Sequence, residues 1–209
     1  MSELIEKLNW RYAAKRMTGT PIPSEKLDTI LEAIQLAPSS MGLQPYNIIV
    51  VGDPELKNKI FAEAAAQPQV KESSHLLVFA AWEKVTSESI SDYIGLIAKT
   101  RDISVESLAQ FQKALGGILG RSEEVNFNWS ARQAYIALGH GLVAAAVEGV
   151  DATPMEGFNN AKLDEILGLK EKGLRSVVLL TLGYRDSAND HLAGAKKVRR
   201  PQEELFISF

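Results

Sequence analysis

Two clusters of cationic side chains stand near opposite ends of this chain. The first is Arg11-Tyr12-Ala13-Ala14-Lys15-Arg16. The second is Lys196-Lys197-Val198-Arg199-Arg200-Pro201, which the proline ends and stiffens. On a helix, Arg11 and Lys15 would lie on one face, one turn apart. Cations held side by side can dock an anion: arginine grips a phosphate with two bonds and lysine adds a point charge. The same spacing also describes a solvated basic face continued back to Lys7, and spacing alone does not choose. In a chain of formal net charge −3, two compact basic clusters point to one small, strongly anionic ligand.

A third stretch, Thr153-Pro154-Met155-Glu156-Gly157-Phe158, follows a short strand pattern. Pro-x-Glu-Gly is turn chemistry, and glycine lets backbone come close to a ligand. An ordinary turn reads the same way. Ser39 and Ser40 lie in a small-residue loop and are open enough to bind something. His75, His140 and His191 are scattered, with no metal spacing and no Ser-His-Asp set. His75 and His140 read as core or interface residues. Gly139-His140-Gly141-Leu142-Val143-Ala144 matches the G-x-G-x-x-A dinucleotide fingerprint, but a helical pattern runs through it and no strand precedes it. Two glycines that let another helix approach closely explain it better.

The elements that must position these residues can be read in order. Residues 3–16 form an amphipathic helical pattern through Leu4, Ile5, Leu8 and Tyr12. A breaker cluster, 18–23, leads to a second helix that Ser24 would cap. Residues 37–45 are a loop, and Tyr46 to Val51 reads as a strand. Asp53-Pro54-Glu55 starts a helix that should end near Ala66. His75 to Trp82 is a second strand. Residues 87–120 are helical and polar. Asn128 to Glu148 is apolar nearly all round, so it should be a central buried or interface helix. Val150 to Pro154 is a short strand, Asn159 to Leu167 a helix with Gly168 at its C-terminus, and Arg175 to Leu182 the strongest strand. Residues 183–200 are a polar loop, and the apolar tail 201–209 needs cover. Four or five strands among six or more helices, without strict alternation, predict a single α+β domain over 1–209 with a mixed central sheet.

The bulk numbers agree with a globular chain: 209 residues, 45% hydrophobic and 23% charged. The absence of cysteine excludes disulfides, thiolate nucleophiles and cysteine-bound metal. The N-terminus lacks an apolar leader, and the longest apolar run, Gly141 to Val147, is too short to span a bilayer. A cytoplasmic protein without nucleic-acid or membrane partners is the expectation.

Taken together and in order, these stretches resemble the nitroreductase family, in its oxygen-insensitive branch of flavin mononucleotide (FMN) enzymes. Arg11-Tyr12-Ala13-Ala14-Lys15 resembles its N-terminal R-x-S/A-x-K motif. Ala37-Pro38-Ser39-Ser40 with Gln44-Pro45-Tyr46 resembles (A/S)-P-S-(S/A)…Q-P-W. Trp129 to Gly139 looks like the central dimer helix, Pro154-Met155-Glu156-Gly157-Phe158 like the P-x-E-G-F turn, and Lys197-Val198-Arg199-Arg200-Pro201 like the closing K-x-R-x-P. Gly168-Leu169-Lys170 and Leu182-Gly183-Tyr184 fall in order between them. Ala13, Gly42 and Tyr46 depart from the common pattern, and the last two bear on substrate preference.

The resemblance implies an intertwined homodimer with two FMN sites at its interface. Helix 128–148 would form the dimer core, the tail would embrace the partner, and the 38–44 loop would enter the partner's site. Arg11, Lys197 and Arg199 would hold the FMN phosphate, with Tyr12 and Ala13 beside them. Lys15 would sit at the N1/O2 edge of the flavin and raise its reduction potential. Pro154 and Met155 would lead to Glu156 and Gly157, whose backbone faces flavin N5. Pro38, Ser39, Ser40 and Gln44 would reach the cofactor from the partner. Gln67, with Gln69 as its rival, would stand at the pyrimidine end. No side chain would be catalytic in its own right: hydride from NAD(P)H would pass through N5 to a nitroaromatic, quinone or similar acceptor, in ping-pong order. Alternatives are a flavin-binding carrier or sensor without turnover, and a reductive dehalogenase or flavin-destroying enzyme. Those last branches carry a lid insertion, and 85–125 is of ordinary length here. Nothing in the sequence separates NADH from NADPH.

Overall fold

The computed structural model describes residues 2–209. Four strands make one sheet: β1 (Tyr46–Val51), β2 (His75–Trp82), β3 (Asp151–Met155) and β4 (Leu174–Gly183), in the order β1-β2-β4-β3. Every pairing is antiparallel, so the α+β class and strand number hold, but the expected mixture of strand directions does not occur in this chain. The reason lies in the strand order. The two pairs of strands that run the same way, β1 with β4 and β2 with β3, are each kept apart by an intervening strand in the order β1-β2-β4-β3, so no parallel neighbours are made. A register shift between Phe79 and Ala80 leaves Val177 of β4 as the extra residue of a bulge.

Both faces of the sheet are covered. On one, Leu77, Phe79, Val178, Leu180 and Leu182 pack against Ile30 and Ile34 of α2 (Ser24–Gln35) and Ala134, Ala137 and Leu138 of α7 (Glu123–Val147). On the other, Leu76, Val78, Leu179 and Met155 meet Ile60 of α3 (Pro54–Glu63), Val70 of α4 (Pro68–Glu72) and Leu163 of α8 (Asn160–Leu167). Burial on both faces explains why β2 reads as an unbroken apolar run rather than an alternation. A satellite core of Leu43, Val85, Ile90, Ile94, Leu115 and Ile118 lies under α5 (Ser87–Arg101) and α6 (Ala109–Gly116).

Several boundaries follow local chemistry. Asp53 caps α3 through the Leu56 amide at 2.7 Å, with Pro54 next to it. Gly168 ends α8 in the left-handed conformation (φ 59°). The polar helical stretch 87–120 is broken where Asp102 turns left-handed (φ 53°). Helix α7 starts five residues before the expected Asn128, because Ser122 accepts the Val125 amide. Pro23, not Ser24, holds the cap position of α2, and no side chain bonds there.

The largest correction concerns the N-terminus. Helix α1 spans only Glu3–Trp10, not residues 3–16, and Arg11 already has extended backbone (φ −66°, ψ 132°). Tertiary bonds pull the next residues out of the helix. Thr153 Oγ1 donates to the Ala14 carbonyl at 2.9 Å, Met17 bridges Arg185, and the Thr18 amide donates to Tyr184. Arg11 and Lys15 therefore do not share a helix face.

One face of α7 is buried through Ser130, Gln133, Ala134, Ala137, Leu138, Gly141 and Ala145. Its other face leaves Ile136, Val143 and Val147 exposed. With Ala33 of α2 it forms an open apolar groove. The tail makes one helical turn, α9 (Gln202–Leu205), after which Phe206, Ile207 and Phe209 project into solvent. No helix among the described residues is long and apolar enough to cross a membrane.

Candidate functional site

The two basic clusters meet in space. Lys197 reaches back to α1, where its ammonium donates to the carbonyls of Leu8 (2.9 Å) and Arg11. These are carbonyls left without helical partners at the end of α1, the place where a cation is favoured. Arg11 points its guanidinium toward the Ala152 carbonyl on β3, 3.5 Å away. Burial and the charge of Arg199 hold Arg11 below the usual arginine range. Burial, Arg11 and Arg199 together hold Lys197 below the usual lysine range. The nearest carboxylate, Asp151, is taken by Arg185, whose guanidinium grips it at 2.6–3.0 Å. Three cations thus face one another, and among the described residues none of them is ion-paired to a carboxylate; Asp151 relieves Arg11 only in part.

Segment 11–17 is held open by a buried carboxylate. Asp190, 5% exposed, accepts the Lys15 amide at 2.7 Å and the Tyr12 hydroxyl at 2.9 Å through one oxygen, and the Leu192 amide through the other. Burial alone would raise the Asp190 carboxyl; the bonds from Leu192, Lys15 and Tyr12 outweigh it and hold the group below its ordinary range. Burial and the bond to Asp190 push Tyr12 up to about 12. Arg185 lies over the rings of Trp10 and Tyr12, 4.3 and 4.5 Å from their centroids. Arg16 forks onto Glu72. The Lys15 ammonium has no hydrogen bond or ion pair among the described residues; only its backbone is tied.

At the end of β3, Pro154 and Met155 lead into the Glu156-Gly157 turn. Gln67 donates its amide N–H to the Gly157 carbonyl, while its Oε1 is buried without a partner. A Cβ on Gly157 would come 3.3 Å from that Gln67 nitrogen. Gln69, the rival, is turned inward and donates to the Met155 sulfur at 3.1 Å. The Glu156 carboxylate accepts the hydroxyl of Tyr135 on α7. Burial and Glu156 both push the Tyr135 hydroxyl upward.

The loop at 38–44 is not brought to these residues within one protomer. Ser39 Oγ accepts the Gln44 amide (2.9 Å), Gln133 Oε1 of α7 accepts the Ser40 amide (2.8 Å), and Gln44 donates to the Gln35 carbonyl (2.8 Å). Pro38 precedes this knot. The histidines behave as structural groups: His75 bonds Ser74 Oγ, and His140 bonds the Ile136 carbonyl on the groove face.

Asp190, Asp151 and Arg185 were not legible as site residues. They sit in polar or strand stretches with no spacing signal, and only the fold brings them under the cations. Tyr135 had a signal: a hydroxyl on an apolar helix needs a partner.

The fold and site so far define an α+β protein with a cationic cradle beside a glycine turn at one end of its sheet. A sequence model described as the nitroreductase family matches residues 8–184, and the chain belongs to that family. A protein of Staphylococcus epidermidis provisionally named an NAD(P)H nitroreductase is 29% identical over 214 residues, covering 97% of this chain and 94% of its own. The crystal structure of a protein from Staphylococcus epidermidis, provisionally titled an NAD(P)H:FMN oxidoreductase, superposes with a TM-score of 0.87 at 22% identity. It covers 100% of this chain and 97% of that one. A provisionally titled nitroreductase from Exiguobacterium sibiricum, solved in complex with FMN, gives 0.83 at 21% identity over 100% of this chain and 98% of that one.

Proposed function

We propose that this chain is an FMN-dependent oxidoreductase, which takes hydride from NAD(P)H and delivers it to nitroaromatic, quinone or similar acceptors in ping-pong order. The observation that carries the reading is the meeting of Arg11, Lys197 and Arg199, whose mutual repulsion, with burial, outweighs the relief Arg11 draws from Asp151. Such a cluster is suited to a phosphate monoester. The relatives' printed names, and the FMN held by the Exiguobacterium protein, support it.

The residues fit the cofactor in a second way. A flavin carries an imide N–H and carbonyl oxygens at its pyrimidine end. Gln67 keeps a buried acceptor oxygen unused, and Lys15 keeps an unpaired ammonium. Bound FMN would supply the hydride-carrying N5. Arg11, Lys197 and Arg199 would hold its phosphate. Lys15, fixed by its backbone to Asp190, would favour negative charge on the reduced ring. Glu156 and Gly157 would set the backbone beside N5. No acid–base dyad is required of the protein.

The working unit in this reading is a homodimer. Pro38, Ser39, Ser40 and Gln44 are tied to α2 and α7, so a second copy would bring them to the cradle. The apolar groove on α2 and α7 and the exposed Phe206, Ile207 and Phe209 are the surfaces a partner would cover. With a nicotinamide reductant, the working place is the cytoplasm.

Purified protein should be yellow, and NADH or NADPH should be consumed when menadione or nitrofurazone is added. A colourless protein that gains no flavin absorbance on addition of FMN would sink the proposal. Flavin bound without turnover would leave a carrier or sensor.

A further inference from the structure

The 39–44 loop carries the densest backbone strain in the chain. Met41 (φ 57°) and Gln44 (φ 49°) are left-handed without being glycine, and Gly42 (φ 72°) lies between them. Residues with side chains resist this conformation, and it persists only where the surroundings fix it. Part of the fixing comes from within: Ser39 Oγ takes the Gln44 amide and Gln133 takes the Ser40 amide. Leu43 is buried among Val85, Ile90 and Ile94.

The rest comes from one side chain on α5. The Tyr93 hydroxyl donates to the Met41 carbonyl at 3.0 Å. Its ring is set by an edge contact with Phe111 of α6, centroids 6.5 Å apart. The same hydroxyl fills the space over Gly42: a Cβ there would stand 2.2 Å from Tyr93 Oη and 3.3 Å from Cζ. Glycine at 42 and tyrosine at 93 are therefore matched, and the match fixes the left-handed turn. Burial pushes the Tyr93 hydroxyl above its ordinary range, so it remains a donor through the neutral range.

We infer that Tyr93 is a positioning residue for the reaction: through Met41 and Gly42 it holds the loop in the one shape that serves the acceptor side of the flavin site. The inference rests on the function proposed above, in which this loop enters the partner's site. Tyr93 itself touches the loop and acts through it. It also ties acceptor selection to α5 and α6, which pack away from the phosphate cradle.

The test uses the full-length, flavin-loaded protein with three variants: Tyr93→Phe, Gly42→Ala and the two combined. Hydrogen exchange of the 39–46 peptide should be about tenfold faster in Tyr93→Phe, as expected when a local opening loses its restraint. FMN affinity should fall by a smaller factor than the KM for menadione rises, because Ser39 and Ser40 keep their own bonds to Gln44 and Gln133; the KM should rise roughly threefold or more with a smaller change in kcat. Gly42→Ala should be worse on both readouts. Adding Tyr93→Phe to it should recover part of the loss, because the 2.2 Å overlap is with the hydroxyl that phenylalanine lacks. Unchanged exchange and KM in Tyr93→Phe overturn the inference, as does a double variant no better than Gly42→Ala. Faster exchange with unchanged KM reduces Tyr93 to a structural role and also overturns it. A wild-type protein that binds no flavin or reduces no acceptor removes the proposed function and this inference together. Normal wild-type turnover with a silent Tyr93→Phe removes the inference alone.

Discussion

The buried carboxylate of Asp190 accepts the backbone N–H of Lys15 at 2.7 Å, joining positions 175 residues apart. It is the bond that converts the N-terminal basic stretch from a helix face into an open strand-like segment. Replacing Asp190 with asparagine removes the charge and sets an NH2 group against donors from Tyr12, Lys15 or Leu192. The expected loss is about 2 kcal/mol of stability, the range for hydrogen bonds to charged groups. Weaker FMN retention should accompany it, because Tyr12 and Lys15 both lose their anchor. Urea denaturation with and without FMN measures both, and an unchanged midpoint would contradict the anchoring role.

Arg199→Ala should separate binding from folding. In the flavin-free protein it removes a charge that opposes Arg11 and Lys197, so stability should change by no more than about 0.5 kcal/mol, as for other surface substitutions. FMN affinity should fall by roughly 2 kcal/mol, about 30-fold in Kd. Fluorescence titration of flavin-stripped protein reads the affinity directly. Equal affinity in variant and wild type would take the phosphate role away from Arg199.

Much of the architecture was legible because strong local signals coincide with the tertiary fold. Strands β1 and β2 have the boundaries expected from their β-branched and apolar runs, and Gly168 ends α8 where a C-terminal glycine should. Gly141 does admit a neighbouring helix: its missing Cβ would lie 3.0 Å from Ile34 of α2. Gly139 has open space around it and faces the groove instead. The N-terminal helix was overextended for a different reason. Helical spacing continues to Tyr12, but Asp190, Thr153 and Tyr184 supply better bonds to residues 12–18 than a fourth helical turn would. None of these partners is near in sequence. Strand direction was likewise illegible, since a run such as Asp151–Met155 does not say which edge it joins. The cationic residues were readable by type; the carboxylates that organise them were not.

Val143→Arg should test whether the groove on α7 is a subunit interface. Val143 is 38% exposed in this chain and lies among Ile136, Gly139 and Val147. An arginine buried there against an apolar partner would cost on the order of several kcal/mol, so the dimer should dissociate. Flavin should be lost with it, because Ser39, Ser40 and Gln44 would no longer reach the cradle. Sedimentation velocity and the flavin-to-protein absorbance ratio check the two halves. A monomer that keeps its full complement of flavin would show that one chain completes the site alone.

His75 should make the fold sensitive to acid in the range between neutrality and pH 5. Its Nδ1 lies 2.9 Å from Ser74 Oγ, and that oxygen already accepts the Ile22 amide at 2.9 Å. The Ser74 hydroxyl can meet either form of the ring, so the first obstacle to protonating His75 is its burial. Lys57, 5% exposed, adds a second obstacle: its ammonium donates to the carbonyls of Ser73 and Ser74 beside the ring. Burial first, and the Lys57 charge second, hold His75 below its ordinary range. With the folded value lowered, the unfolded chain binds the proton more readily once the pH drops below about 6.5. The contribution to stability is thus present in full above that pH and declines as the pH falls toward and through the folded value. Thermal unfolding from pH 7.5 to 5 should show a falling midpoint, and His75→Gln should flatten that slope because glutamine does not titrate. Parallel slopes in the two proteins would assign the acid sensitivity to other groups.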